Sequence, residues 1–158
     1  MPNIQQTGIP GLRYSFKEST QFTYPSSETR TKIALHRIIV RFWPKRLGRP
    51  ALMVNLAKVL HTEFEQRGAI SDLEEALVVA RSALELCPQG HRHRTLILGD
   101  IAYYLHTRFH QLGTLSDLEE ALALGRNTLE LRPQGHPHRS LSLGNLASHH
   151  LSRFKHAF

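Results

Sequence analysis

Apolar residues recur at intervals of three and four along most of the chain, the period of a helix with one buried side. Leu73, Ala76, Leu77, Ala80, Ala83 and Leu84 form one such stripe. Leu52, Leu56, Ala57, Leu60 and Phe64 form a second, and Ile97, Ile101, Ala102, Leu105 and Phe109 a third. Pro88 with Gly90, and Pro133 with Gly135, close the stripes, because proline cannot continue a helix and glycine accepts a tight turn. Gly68 and Gly113 break the chain between stripes. The pattern predicts helices near 30–43, 50–66, 71–86, 94–111, 116–131 and 138–155. Ser71 and Ser116 each stand three residues before a glutamate, Glu74 and Glu119, the spacing of a capping box.

The stripes repeat. Residues 71–77 return letter for letter at 116–122, and 24 of 45 positions are identical between 49–93 and 94–138. That is a tandem repeat of two helices per unit. A third, partial copy covers 139–158, where Asn145-Leu146-Ala147 aligns with Asp100-Ile101-Ala102 and Asn55-Leu56-Ala57. His150 falls where Leu60 and Leu105 stand, so this copy is degenerating. Residues 30–48 read as a degenerate half-repeat. Leu35, Ile38, Ile39 and Phe42 make an apolar face opposite Arg30, Arg37 and Arg41, and the order of letters in 40–44 follows that in 84–88. On this reading the apolar face shields the first full repeat. Residues 1–29, rich in Gly, Pro, Ser, Thr and Gln, read as disordered or loosely packed. Half a repeat, two whole repeats and half a repeat suggest a fragment of a longer array.

The second helix and its exit resemble the tetratricopeptide repeat family. Ala76, Ala83 and Pro88 match that family's spacing, as do Ala121 and Pro133, while Thr128 replaces the second alanine. Leu56-Ala57-Leu60 and Ile101-Ala102-Leu105 resemble its large-small-large first-helix pattern. The 45-residue period is longer than the family's usual one and resembles the arrays of some large fungal proteins, some of which carry CHAT or nucleotide-binding domains. The resemblance implies an all-α, tetratricopeptide-like α-solenoid of antiparallel helix hairpins. It also implies a general interaction scaffold whose first helices line the ligand groove.

The formal net charge of +7 does not turn the repeats into a nucleic-acid surface. Residues 1–49 hold nine Lys/Arg against two Glu, whereas 50–158 hold eleven Lys/Arg against eleven Asp/Glu. The basic character belongs to the N-terminal third. A single cysteine, Cys87, excludes an internal disulfide and suits a reducing, cytoplasmic setting. No apolar run is long enough to span a bilayer, and no signal segment opens the chain.

Candidate chemistry is sparse. Eleven histidines invite a metal, but His91, His93, His136 and His138 stand in two separate turns, and His106 with His110 does not recur in the other copies. Imidazoles that hydrogen-bond within the turns account for His91 and His136. No nucleophile elbow, phosphate loop or HExxH motif is present. Cys87 aligns with Arg132, which argues against a required thiol; it reads as a half-exposed turn residue. The expectation is a non-enzymatic scaffold without cofactor or metal that binds a peptide or protein segment. At 100° per residue, Asn55, Lys58 and Thr62 lie opposite the buried stripe, with Asp100, Tyr103 and Thr107, then Asn145, Ser148 and Ser152, as counterparts. These nine residues form the candidate groove, either facing a ligand or bonding between neighbouring helices. The alternative is attachment to nucleic acid or a membrane surface through 30–49. Leu146, Leu151 and Phe154 on the last helix add an expectation of self-association.

Overall fold

The structure is a computed structural model that describes residues 27–42 and 48–157. The expectation for residues 1–29 lies almost wholly outside the described residues. Six helices follow one another: α1 (Ser27–Phe42), α2 (Arg49–Arg67), α3 (Ile70–Glu85), α4 (Arg94–Leu112), α5 (Leu115–Glu130) and α6 (Arg139–Ala157). There is no strand among the described residues. Each helix packs on its neighbours in sequence, most extensively α2 on α3 and α4 on α5. This order of packing is consistent with a helical repeat.

The units are joined by matching turns. Gly68 and Gly113 end α2 and α4 in the left-handed region, φ 69° and 71°, and their N–H groups bond to Phe64 O and Phe109 O. A side chain would strain either position. The turn after α3 is closed by His91 N to Pro88 O at 3.0 Å, and that after α5 by His136 N to Pro133 O at 3.0 Å. His93 N donates to Nδ1 of His91 at 3.3 Å, and His138 N to Nδ1 of His136 at 3.1 Å. The turn histidines thus serve as local acceptors. The arginines that open α4 and α6 reach back: Arg94 donates to Cys87 O at 2.6 Å, and Arg139 to Leu129 O at 3.1 Å and to Arg132 O. These bonds satisfy carbonyls that the second helices leave without intrahelical partners.

The main core runs from Ile33 on α1 to Ala121 on α5, through Leu56, Leu60, Leu73, Ile97, Ile101 and Leu105. The predicted stripes of α2 and α4 are its walls. A smaller cluster of Phe109, Leu118 and Leu122 carries Leu146 against it. Burial on α6 is polar: Ser142, His149 and Ser152.

Four expectations are corrected. The second helices begin one residue early, with Ala69 and Thr114 as N-caps, and neither makes a side-chain cap bond. The connectors are two residues long, so the residue after the left-handed glycine must already turn into the helix. Ser71 and Ser116 then sit inside the first turn, and Asp72 N and Asp117 N bond to Ala69 O and Thr114 O at 3.0 Å. On α1, Leu35, Ile38 and Phe42 are exposed and Ile33 is buried instead; the Ile39 side chain lies outside the description. Ile33 and Arg37 share a face one turn apart, and Arg37 pairs with Glu75 on α3, which rotates the expected apolar face outward. Leu146 packs inward rather than standing uncovered, while Leu151 and Phe154 are exposed. Cys87 is fully buried, and burial pushes its thiol pKa up.

Candidate functional site

Eight of the nine candidate residues stand off the buried stripes of α2, α4 and α6, while Ser152 belongs to the buried side of α6. Asn55, Lys58 and Thr62 on α2 are exposed. On α4, Tyr103 is exposed, while Asp100 and Thr107 are half-buried. On α6, Ser148 is exposed, Asn145 half-buried and Ser152 buried. They do not form a uniform ladder. Thr62 and Thr107 donate to carbonyls of their own helices, Lys58 O and Tyr103 O, both at 3.0 Å. Such back-bonds are common for helical threonine and commit the hydroxyl proton.

The other groups gather at two seams. Between α2 and α4, Lys58 Nζ stands 3.8 Å from Asp100 Oδ2. His61 stacks on Tyr104 with centroids 4.8 Å apart and lies 5.1 Å from Tyr103. Burial lowers the His61 pKa against the pull of Glu65, and burial with Glu65 raises that of Tyr103. Asp100 is pushed up to about 6, first by burial, with Lys58 and Arg132 acting the other way.

Between α4 and α6, Ser152 Oγ lies 2.9 Å from His106 Nε2 and 3.2 Å from His110 Nε2, and the two imidazole nitrogens are 3.1 Å apart. His149 packs on His106 with centroids 4.4 Å apart. Burial, then the neighbouring His149 and His110, drive the His106 pKa down to about 4. The histidines and Ser152 therefore form part of the helix seam. Among the described residues no group of three or more His, Cys, Asp or Glu is arranged to hold a metal ion.

Residues outside the expected set also converge. A cleft between α4, α5 and α6 is lined by Gly99, Gly125, Thr128, Arg132, Ser142 and His149, and Asn145 joins it to the groove face. Arg132 is only 6 % exposed, although the chain carries cysteine at the same place one repeat earlier. The signal was present in the sequence as polar letters at core positions, Thr128 and Arg132 in the second copy and Ser142 and His149 in the third.

No helix among the described residues is long and apolar enough to cross a membrane. Comparison with protein families, with curated proteins and with solved structures finds no match to this chain.

Proposed function

We propose that the chain is a non-enzymatic interaction scaffold of the tetratricopeptide-like solenoid class, which holds a peptide or protein segment along its first helices. The observation that carries this reading is Tyr103. It is 40 % exposed in the middle of the first-helix face, with His61 packed beside it. A large aromatic held by its neighbours and open to solvent is the kind of residue on which binding energy concentrates. Asn55, Lys58 and Ser148, on α2 and α6, add exposed polar surface to the same face. The histidines and Asp100 serve helix seams rather than converging on a reacting atom. A pull-down from cell extract comparing the wild type with Asn55→Ala/Asp100→Ala/Tyr103→Ala tests the reading. Loss of partners by a variant that keeps its helical circular dichroism supports it; retention of every partner by that variant rejects it.

The exposure of Leu35, Ile38 and Phe42 beside Arg41 on α1 favours a second reading, attachment to an anionic membrane surface. Co-sedimentation with vesicles containing phosphatidylserine, lost in Ile38→Asp/Phe42→Asp, supports that reading, and the absence of binding by the wild type rejects it.

A further inference from the structure

The second helix of each full repeat packs along its first, α3 on α2 and α5 on α4. In the second repeat Phe109 meets Leu118 and Leu122, and Arg108 holds Asp117 with Nε at 2.8 Å and Nη2 at 2.6 Å. Leu98, Ala102 and Leu105 of α4 are buried, and so are their α2 counterparts Met53, Ala57 and Leu60. The same positions 45 residues on are Leu143, Ala147 and His150 of α6, and all three are exposed. Leu143 is 47 % exposed against 3 % for Leu98. A spacing of four and three residues puts them on one side of α6. Another side of α6, with Leu146, His149 and Ser152, packs on the helices before it. The open side is therefore the one that a second helix covers in the earlier repeats.

Two series of arginines show what charge such a helix carries. Arg37 holds Glu75, and Arg81, 44 residues on, holds Glu120. Arg126 on α5 follows 45 residues after Arg81 and is exposed. Arg153 on α6 follows 45 residues after Arg108 and is exposed too. Neither Arg126 nor Arg153 pairs with a carboxylate among the described residues, whereas Arg37, Arg81 and Arg108 all do. The acids that serve Arg108 and Arg81 are Asp117 and Glu120, three residues apart in the first two turns of α5. Residues three apart on a helix are neighbours on its surface.

We propose that the open side of α6 is a docking site for an acidic amphipathic helix of a partner protein. The helix presents an Asp and a Glu three residues apart to Arg153 and Arg126, and its apolar stripe covers Leu143 and Ala147. Charge complementarity gives the contact its register, as it does for α5 on α4. A second copy of the chain does not offer this helix. Its Asp117 and Glu120 are engaged by Arg108 and Arg81, and its Asp72 and Glu75 by Arg67 and Arg37. The exposed apolar residues of α1 stand beside Arg41, which sets like charge against Arg153. The site lies on a different side of α6 from Asn145 and does not rest on the groove reading.

The test is fluorescence anisotropy of a labelled synthetic peptide, residues 114–132 of this chain, titrated with the full chain. The peptide carries Asp117, Glu120 and the apolar stripe of α5 without their intramolecular partners. The expected result is saturable binding. Arg126→Glu/Arg153→Glu should weaken it at least about tenfold, and so should Ala147→Lys, which adds favourable charge but blocks the seat. All three positions are exposed, and unchanged helical circular dichroism checks that the variants fold. A peptide with Asp117→Lys/Glu120→Lys should bind the wild type weakly and the charge-reversed chain as the natural pair binds. No saturable binding, equal binding by either variant, or no recovery in the doubly reversed pair would overturn the proposal. A dimer of the full chain in sedimentation that is lost in Ala147→Lys, with no peptide binding, would overturn it too and assign the face to a second copy.

Discussion

Arg81 on α3 places Nη2 2.8 Å from both carboxylate oxygens of Glu120 on α5, and Arg37 on α1 meets Glu75 on α3 through the same kind of pair. The two arginines are 44 residues apart and the two glutamates 45. Consecutive second helices are thus linked by the same contact, and α1 takes part as a second helix would. The apolar letters of α1 alone do not reveal this, because the partner sits on another helix.

The pairs differ in what their loss should cost. Arg81 and Glu120 have side chains 50 % and 40 % exposed, so Arg81→Ala should cost under about 1 kcal/mol. Arg108 pairs with Asp117, whose side chain is 5 % exposed, so Arg108→Ala leaves a buried carboxylate alone and should cost about 3 kcal/mol. Urea midpoints of the two variants check the order. Equal losses would show that burial of Asp117 does not control the contact.

The histidine seam sets a pH dependence. His106 has a folded pKa near 4 against an ordinary 6.5. Below 6.5 the unfolded chain takes up a proton that the folded chain refuses, so stability should fall as pH drops from 6.5 to about 4. For His106 alone the loss is up to about 3 kcal/mol. His61 and His149 are shifted the same way, mainly by burial. Urea midpoints between pH 7.5 and 4.5 should fall more steeply for the wild type than for His106→Leu. Identical slopes would remove His106 from the account.

Asp100 works in the opposite sense. Its folded pKa of about 6 lies above the ordinary 3.8, so its contribution is fully present below 3.8 and is lost as pH rises through 6. At pH 7.5 the half-buried carboxylate is a burden that Asn55 and Asn145 do not impose at the same repeat position. Asp100→Asn should raise stability at pH 7.5 by about 1 kcal/mol, after the lost Lys58 contact is set against the gain. At pH 4 the gain should vanish. A gain that is the same at both values would assign the effect to something other than ionisation.

Much of the fold was legible because the helical period survives in both copies. Leu56, Leu60, Ile101 and Leu105 are buried where the stripe places them. The Pro and Gly exits set helix ends to within a few residues. The caps misled because a two-residue connector, not the favourable Ser71–Glu74 spacing, decides where α3 begins. The groove was legible as a face but not as a set of free groups. Ser152 meets two histidines across a seam; His106 aligns with His61, but His110 aligns with Glu65, so the repeat spacing could not show the pair. Arg132 was visible as a departure from Cys87, but its meaning depends on Gly99, Gly125 and His149, which only the packing of three helices brings together.

Site-specific photo-crosslinking tests the interaction reading most directly. A benzoylphenylalanine is placed at Tyr103 on the first-helix face, at Val78 on a second helix (63 % exposed), or at Phe42 on α1 (77 % exposed). After irradiation in cell extract, the account expects discrete protein adducts from position 103, reduced by Asn55→Ala, and none from 78 or 42. Adducts from 78 or 42 with none from 103 would contradict it.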